Sequence, residues 1–282
     1  MNLELKDNEF KLFQELILEK SGLNFDDSKR KSLKVSLLSR IRYKGFDNYQ
    51  QYYKYINFHP DGRTEFRDLI TLLTINETMF FRNPDQFKIL KNNVLPEIIN
   101  ENKDKNIKIW SAGCSTGEEP YSIAICMREL VGFANKWNIE ILGVDIDKKA
   151  LASAKEGIYK TRALRITDKT YIDRYFNENE IDGKYKIKQE IRDMVSFDYF
   201  NLAEVPYPVA LNGKWDIIFC RNVLIYFNTD LIEKIIERFY EGIKDGGYLF
   251  IGYSEILSAY KNSFSPAKFD GVYIYKKDGL GK

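Results

Sequence analysis

The sequence predicts an α/β fold with a parallel sheet, preceded by a small helical domain. From Ile107 onwards, short apolar runs alternate with amphipathic helices, and this alternation is typical of parallel strands covered by helices on both faces. Before about residue 72, apolar residues such as Phe10, Phe13 and Leu16 recur at helical spacing. A chain of 282 residues, 44% of them hydrophobic, can build one large and one small core.

Residues 1–72 form the predicted helical domain, and one segment of it is basic. Between residues 29 and 44 the basic residues are not interrupted by any acidic residue. On a helical wheel they do not gather on one face, whereas Leu33, Leu37 and Ile41 recur at i, i+4 and i+8. A solvated amphipathic helix and a surface for an acidic partner are both open interpretations. The basic residues are Lys29, Arg30, Lys31, Lys34, Arg40, Arg42 and Lys44.

A linker over 73–88 and a large domain over 89–282 are predicted to follow. The linker sequence TINETMFFRNPDQF is polar, then aromatic, and is interrupted by Pro84. In the large domain, apolar runs predict strands and amphipathic runs predict helices. The polar stretch from about 160 to 194 is assigned only as an insertion. The predicted strands cover 107–113, 139–146, 195–202, 215–222, 246–253 and 269–277, and the predicted helices cover 118–130, 147–157 and 229–243.

The composition excludes several classes of function. His59 is the single histidine and lies in a turn-like sequence, so zinc sites, Ser/His/Asp triads and Cys/His pairs lack their partners. The three cysteines, Cys114, Cys126 and Cys220, are far apart, which favours buried thiols over disulfides or metal binding. A net charge of +2 gives no general case for nucleic acid or an anionic membrane.

The N-terminus is charged from its fourth residue, and no apolar stretch approaches the length of a membrane span. These features predict a soluble, cytoplasmic protein without membrane insertion.

A glycine-containing turn, SAGCSTGEEP, lies between the first predicted strand and its helix. Gly113 and Gly117 allow a sharp turn and a close approach of the backbone to a ligand. Glu118 and Glu119 would repel a pyrophosphate at this helix N-terminus, but they suit the positive groups of S-adenosylmethionine (SAM). The alternative is that both glutamates only complement the helix dipole, next to Pro120.

Polar residues follow the next predicted strands at the same edge of the sheet. Asp145 ends the second strand, where a carboxylate can accept hydrogen bonds from ribose hydroxyls. Asp147 is the better candidate for the cap of the following helix, which leaves Asp145 for the sugar. Asn201 and Leu202 end the third strand and are candidates for reading adenine, although a loop asparagine is an equal alternative.

The fourth strand ends in FCRNVLIYF. Arg221 and Asn222 follow the largely apolar run WDIIFC, and a polar pair at this position favours the cleft over the core.

Five ordered segments resemble the motifs of the CheR family, the chemoreceptor glutamate methyltransferases. They are TINETMFFRNPDQF, WSAGCSTGEEPYSIAI, ILGVDID, IIFCRNVLIYF and YLFIGYSE. The likeness runs from about residue 70 to the end, and the N-terminal region resembles the family's small domain less specifically. Five motifs in order make an accidental similarity improbable.

The resemblance implies a class I SAM-dependent methyltransferase fold with a seven-stranded sheet, preceded by an all-helical domain. It implies that SAM is the cofactor and S-adenosylhomocysteine (SAH) the product. Arg82 and Tyr226 would border the pocket of the methyl acceptor and serve as the catalytic residues. The implied SAM-binding residues are Asn76, Thr78, Arg82, Glu118, Asp145, Asn201, Leu202, Arg221 and Asn222.

The implied substrate is a glutamate on the cytoplasmic helical bundle of a chemoreceptor, and the implied product is a glutamyl methyl ester. A glutamate with a pKa of about 4.3 is ionised at neutral pH and needs no general base. This agrees with a sequence that offers only one histidine, His59, as a general base. The basic segment would dock on the receptor, and the insertion resembles a small β-subdomain that grips a receptor tail in some members. We expect a monomer that does not bind nucleic acid.

Two alternatives are kept. A methyltransferase acting on RNA or a small molecule would have the same cofactor half, because the fold does not name the acceptor. A non-catalytic scaffold of the same fold would have degraded cofactor residues, whereas Glu118, Asp145, Asn201 and Asn222 are present here.

Overall fold

The structure is a computed structural model that describes residues 3–132, 137–179, 183–205, 207 and 215–279. A helical bundle comes first and packs its own core of residues such as Phe13, Ile17 and Tyr52. Asn48 caps the third helix by accepting the N–H of Gln51. The helices of this bundle are α1 (Asp7–Ser21), α2 (Arg30–Lys44), α3 (Tyr49–Phe58) and α4 (Gly62–Leu73).

The basic segment forms helix α2, and at least three of its seven charges are paired with acidic residues of the helical domain. Arg40 is buried and pairs with Glu65, so the interpretation of the whole segment as a surface is wrong at this residue. Arg30 pairs with Asp7, and Lys44 lies 3.3 Å from Glu65. The buried guanidinium of Arg40 is stabilised by the carboxylate of Glu65 in α4. A helical wheel of α2 alone cannot show this partner, because it lies on another helix.

The large domain is built on a sheet of seven strands in the order β6-β2-β1-β7-β8-β10-β9. The five strands from β6 to β8 pair in parallel, and β10 pairs antiparallel with β8 and β9. The predicted α/β class with a seven-stranded sheet is therefore confirmed. The strands are β1 (Asn106–Ala112), β2 (Asn138–Asp145), β6 (Val195–Tyr199), β7 (Trp215–Cys220), β8 (Ile243–Ile251), β9 (Ser265–Phe269) and β10 (Val272–Lys276).

Helices cover both faces of this sheet and bury two separate apolar clusters. Helix α5 (Pro84–Ile89) continues through a π-helical turn (Leu90–Val94) into α6 (Leu95–Glu101). Gly117 begins α7 (Glu118–Val131), and Asp147 caps α8 (Lys148–Glu156) as predicted. The last helix is α11 (Thr229–Gly242), which Asn228 caps.

The insertion forms a small antiparallel sheet that the sequence pattern did not reveal. Its strands are β3 (Ile158–Lys160), β4 (Phe176–Asn179) and β5 (Lys184–Ile187), in the order β3-β5-β4. Two short helices, α9 (Lys169–Tyr175) and α10 (Gln189–Arg192), accompany it. Residues 180–182 of the insertion lie outside the described residues.

Two strand predictions need correction. The C-terminal strand is the second arm of a hairpin, because a turn at Asp270 and Gly271, both with positive φ, connects β9 to β10. The third predicted strand ends at Tyr199, so Asn201 lies in the turn that follows it. All three cysteines are free and buried, as predicted. No helix in the described ranges is both long and apolar enough to cross a bilayer.

Candidate active site

Two adjoining cavities open at the carboxyl ends of β2, β1 and β7, where ligands bind in open parallel sheets. They share a wall formed by Gly113, Ser115, Asn222 and Tyr226. The first cavity is lined by Ser21, Leu23, Leu73, Thr74, Asn76, Asp145, Asn201 and Leu202, among others. The second is lined by Glu77, Thr78, Met79, Arg82, Phe87, Glu119, Arg221 and Ile225, among others.

The turn after β1 is shaped by residues with positive φ. Gly113 has φ +77°, and a Cβ at this position would lie 2.3 Å from Cγ2 of Val223. Only glycine therefore fits between the two strand-end loops. Ser115 follows with φ 49° and directs its N–H to the Oδ2 atom of Asp145 at 2.8 Å.

Asp145 is held by the backbone on both sides. Its Oδ1 atom accepts the N–H of Asp147 at 2.8 Å, and its Oδ2 atom accepts the N–H of Ser115. Burial raises the pKa of this carboxyl, and the two backbone N–H groups partly oppose the rise. Each carboxylate oxygen has a second acceptor position, so the group can still accept from a ligand hydroxyl in the first cavity.

Asn76 crosses from the linker to the sheet edge. Its Nδ2 atom donates to Oδ2 of Asp147 at 2.8 Å, and its Oδ1 atom accepts from Oγ of Ser115 at 3.1 Å. The linker is thus fixed beside Asp145 and forms one wall of the first cavity.

Asn201 and Leu202 line the first cavity, but the side chain of Asn201 is already in use. Its Nδ2 atom donates to the carbonyl of Lys20 at the end of α1, and its Oδ1 atom accepts the N–H of Ala203. The described arrangement therefore directs the carboxamide to the helical domain, and Leu202 presents the apolar surface on this side.

The two glutamates at the start of α7 differ in position. Glu118 is buried, accepts from Oγ1 of Thr116 at 2.6 Å and is absent from the described lining of both cavities. Glu119 lines the second cavity and accepts from Oγ of Ser111 at 2.7 Å. Burial raises the pKa of both carboxyls. The family resemblance implies Glu118 alone as a SAM-binding residue, whereas the glutamate that lines a cavity is Glu119 of the same motif.

Arg221 is a buried guanidinium whose hydrogen bonds are incomplete. Its Nη2 atom donates to the carbonyl of Arg82, and its Nη1 atom lies 3.4 Å from Glu119. Its Nε and Nη1 atoms make no hydrogen bond within the described residues, and neither does Oδ1 of Asn222. Burial lowers the pKa of Arg221. Arg221 lines the second cavity and Asn222 lines both cavities, so these groups are placed to receive a ligand.

Thr78, Arg82 and Tyr226 line the second cavity. The Nη1 atom of Arg82 donates to the carbonyl of Glu77 at 2.8 Å, which turns the guanidinium along the linker. Tyr226 borders both cavities, and its carbonyl accepts the N–H of Asn24 from the helical domain at 2.8 Å. Burial raises the pKa of its phenol, so the ring enters the site as a neutral group.

Glu255 organises the loop after β7. Its Oε2 atom accepts the N–H groups of Asn222 and Gly252 at 2.8 and 2.7 Å, and its Oε1 atom accepts those of Val223 and Ile225 at 3.0 and 3.3 Å. This carboxylate holds Asn222 in a positive-φ conformation of 58°. The motif YLFIGYSE contains Glu255, but the sequence did not indicate its role, because the loop lies about thirty residues away.

The residues present fit SAM. A SAM molecule carries a carboxylate, an ammonium, two ribose hydroxyls and an adenine. The orphaned nitrogens of Arg221 suit a carboxylate, Oδ1 of Asn222 and Glu119 suit an ammonium, and Asp145 suits the hydroxyls.

Two family models cover almost the whole chain. Residues 8–74 match the all-alpha domain of CheR methyltransferase, and residues 76–272 match the SAM-binding domain of CheR methyltransferase. The boundary between the matches falls in the linker, next to Asn76.

Curated relatives match over nearly their full length. The chain is 35% identical to chemotaxis protein methyltransferase 2 of Vibrio cholerae, covering 99% of this chain and 96% of the relative. It is 34% identical to the chemotaxis protein methyltransferase of Salmonella typhimurium, covering 98% and 93%. It is 32% identical to that of Borreliella burgdorferi, covering 93% of each chain.

Proposed function

The chain belongs to the CheR methyltransferase family and is a SAM-dependent methyltransferase, and on this premise we propose that it methylates glutamate side chains of methyl-accepting chemoreceptors. The products are glutamyl methyl esters and SAH. The observation that carries the choice of acceptor is the charge of the second cavity. Glu119 is offset there by Arg221, and the exposed Glu77 lies 3.5 Å from Arg162. Arg82 remains to attract an anion.

An anionic acceptor agrees with the chemistry available in this cavity. A glutamate carboxylate is ionised at neutral pH, so its oxygen needs no proton acceptor before it attacks a methyl group. His59, the single histidine, follows α3 and is absent from the described lining of the cavities. An amine or alcohol acceptor would need a base, and both carboxylates in the described lining of the second cavity, Glu119 and Glu77, lie beside an arginine.

When bound, SAM supplies an electrophilic methyl group on a sulfonium. The chain's own residues then hold and align the two reactants. We propose that Asn76, Asp145, Asn201 and Leu202 bind the adenosine side. We propose that Thr78, Arg221 and Asn222 bind the amino-acid side together with Glu119. Glu118 would support this end of the site from the start of α7 through its bond from Thr116.

Arg82 and Tyr226 are the proposed catalytic residues. Arg82 orients the acceptor carboxylate, and a flexible contact serves better than a tight bidentate pair, which would reduce the nucleophilicity of the oxygen. Tyr226 closes the wall between the cavities and excludes water from the line of attack.

We propose that residues 1–72 dock on the cytoplasmic helical bundle of the receptor, that residues 73–88 contribute to the cofactor site, and that the chain acts as a monomer in the cytoplasm. Lys31, Val35 and Arg42 lie on one exposed face of α2, with Lys34 beside them. Val35 is 68% exposed, so the face combines charge with an apolar contact. Such a face suits an acidic helical surface better than nucleic acid, for which a broader basic patch is typical.

The test combines binding and transfer on the same samples. Calorimetry should show SAH binding to the wild type and its loss in Asp145→Ala. Labelled SAM and a receptor cytoplasmic fragment should then give protein-bound methyl groups that mild base releases as methanol. Binding without base-labile transfer, or transfer to RNA instead, would reject the acceptor that we propose.

A further inference from the structure

Asp147 connects its own segment to the end of α4 and the linker, more than seventy residues earlier in the chain. Its Oδ1 atom accepts from Oγ1 of Thr71 in α4 at 2.9 Å. Its Oδ2 atom accepts from Oγ1 of Thr74 at 3.3 Å and from Nδ2 of Asn76 at 2.8 Å. The side chain is 1% exposed. A helix cap needs none of these three bonds.

The same carboxylate caps α8, and the cap uses only one of its oxygens. Oδ1 accepts the N–H groups of Lys149 and Ala150 at 2.9 and 3.3 Å. Oδ2 is therefore committed entirely to Thr74, at the C-cap of α4, and to Asn76 of the linker. This division allows the two roles to be separated by experiment.

Asp147 also contacts the candidate cofactor site directly. Its backbone N–H donates to Oδ1 of Asp145 at 2.8 Å. Asn76, which Asp147 holds, accepts from Ser115, and the N–H of Ser115 donates to Asp145. Asp145, Asp147, Asn76 and Ser115 thus form a closed ring of hydrogen bonds at the rim of the first cavity.

The helical domain and the linker supply one wall of that cavity. Ser21, Leu23, Leu73 and Thr74 line it together with Asp145 and Asn222 of the large domain. A ligand can contact both sets of residues only when the helical domain is packed against this edge of the sheet. The residue that seats α4 and the linker therefore contributes to ligand affinity without touching the ligand.

We propose that Asp147 is a positioning residue that couples the seating of the helical domain to the binding of the S-adenosyl ligand. The inference rests on the proposed placement of SAM in the first cavity. By linkage, the ligand stabilises the seated helical domain as much as the seated domain favours the ligand.

Asp147→Asn is the decisive variant. Asparagine caps helices about as well as aspartate, and its Oδ1 atom keeps the bonds to Lys149, Ala150 and Thr71. Its amide nitrogen, however, would face the donors of Asn76 and Thr74. We expect SAH affinity to fall about tenfold, since hydrogen bonds to charged groups are lost at the cavity wall.

The matched control is Asp168→Asn. Asp168 caps α9 by accepting the N–H of Thr170 at 2.8 Å and also accepts its Oγ1 at 2.7 Å. It makes the same kind of cap and threonine contact, but within one segment of the insertion. We expect this variant to bind SAH within about twofold of the wild type.

Hydrogen exchange supplies a readout that a purely structural role would not change. In the wild type, saturating SAH should slow exchange of the amides of residues 71–76. In Asp147→Asn this ligand-dependent protection should be lost, while the protection of Ala150 and Leu151 in α8 persists. Unchanged SAH affinity, or unchanged ligand-dependent protection of residues 71–76, would overturn the proposal.

Thr71→Val keeps the test decisive if Asp147→Asn loses the protection of α8. Valine matches the shape of threonine and removes only the Oγ1 donor, and Thr71 lies outside the described lining of both cavities. We expect about a threefold loss of SAH affinity, against no change for Thr170→Val. Equal affinities for these two variants would then reject the coupling.

SAH binding requires no methyl acceptor. A failure of receptor methylation would therefore reject the proposed acceptor and leave this coupling intact. An unchanged affinity in Asp147→Asn would reject the coupling and leave the proposed acceptor intact.

Discussion

Two buried arginine–glutamate pairs, one in each domain, differ in how completely their charges are satisfied. In the helical domain, Arg40 meets both oxygens of Glu65 at 2.8 and 2.7 Å, and Tyr52 donates a third bond at 2.8 Å. In the large domain, Arg221 and Glu119 approach only to 3.4 Å. The first pair is complete in itself, whereas the second leaves guanidinium nitrogens without a hydrogen bond in the described structure.

The pKa shifts of the two pairs run in opposite directions. The hydrogen bonds that Arg40 donates to Glu65 raise the pKa of Arg40. Burial raises the pKa of Glu65, but the bonds from Arg40, Tyr52 and Lys44 and the charge of Arg40 outweigh it, so that this pKa is lowered. For the other pair, burial raises the pKa of Glu119 and lowers that of Arg221. The protein therefore favours the charged forms of Arg40 and Glu65 and disfavours those of Arg221 and Glu119. A charged ligand in the cavities can stabilise the charged forms of the second pair.

The largest expected effect is on stability, from Arg40→Met. This substitution leaves Glu65 buried without its main partner, and breaking a buried pair in this way costs about 3–5 kcal/mol. Urea unfolding followed by circular dichroism would measure this loss, because circular dichroism reports on the helices of the helical domain. Tryptophan fluorescence would not report on that domain, since the three tryptophans all lie in the large domain. A loss below about 1 kcal/mol, the usual range for an exposed pair, would contradict the structural role.

The same substitution at the other pair, Arg221→Met, should have the reverse profile. We expect a stability loss of about 1 kcal/mol or less, because the desolvation of Arg221 is not repaid by its present partners. We expect SAH affinity to fall about 10- to 100-fold through the loss of a charged hydrogen-bond donor. Calorimetry would measure the SAH affinity of both methionine variants, and urea unfolding would measure their stability. Similar losses of affinity and stability in the two variants would contradict the distinction between the pairs.

Acidification should separate the two regions. The pKa of Glu65 is lowered in the folded protein, so its contribution to stability is present above its unfolded pKa and is lost only as the pH falls through the lower folded pKa. Burial raises the pKa of Glu118, Glu119 and Asp145, so these carboxyls take up protons at a higher pH. SAH affinity should therefore decline at a pH where the protein is still folded.

Calorimetric titrations and thermal unfolding over the same pH series would measure both transitions. In Arg40→Met, the acid unfolding transition should move to higher pH, since Glu65 loses the bonds that lower its pKa. SAH affinity that stays constant down to the pH of unfolding would contradict the assignment of these buried carboxyls to the cofactor site.

The smallest expected effect concerns docking. Lys34→Glu reverses a charge on α2 and should lower the rate of receptor methylation by a few-fold at low salt, with less effect at high salt. SAH affinity should not change. Lys103→Glu, before β1 and at the opposite edge of the sheet from the cavities, is the control, and an equal effect of the two substitutions would reject α2 as the docking surface.

Local patterns in the sequence predicted much of the fold and of the cofactor half. Gly113 and Asp145 could be found because strand, turn and polar residue follow one another within a few positions. Asp147 could be recognised as a cap for the same reason. Its bonds to Thr71 and Asn76 could not, because they join positions more than seventy residues apart.

The remaining differences have the same cause. Arg40 has its partner on another helix, and the carboxamide of Asn201 meets the carbonyl of Lys20 across 181 positions. The family resemblance implied the small sheet of the insertion, but periodicity did not, because its strands have three or four residues, too few for a clear alternation. Periodicity reports which face of an element is apolar, but not which element covers it.

The most direct test of the proposed activity is to locate the transferred methyl group. A receptor cytoplasmic fragment incubated with the wild-type protein and SAM would be digested and sequenced by tandem mass spectrometry. We expect base-labile methyl groups on glutamate carboxylates, and no transfer when those glutamates are replaced by glutamine. Methyl groups on lysine, on asparagine or on no receptor residue at all would contradict it.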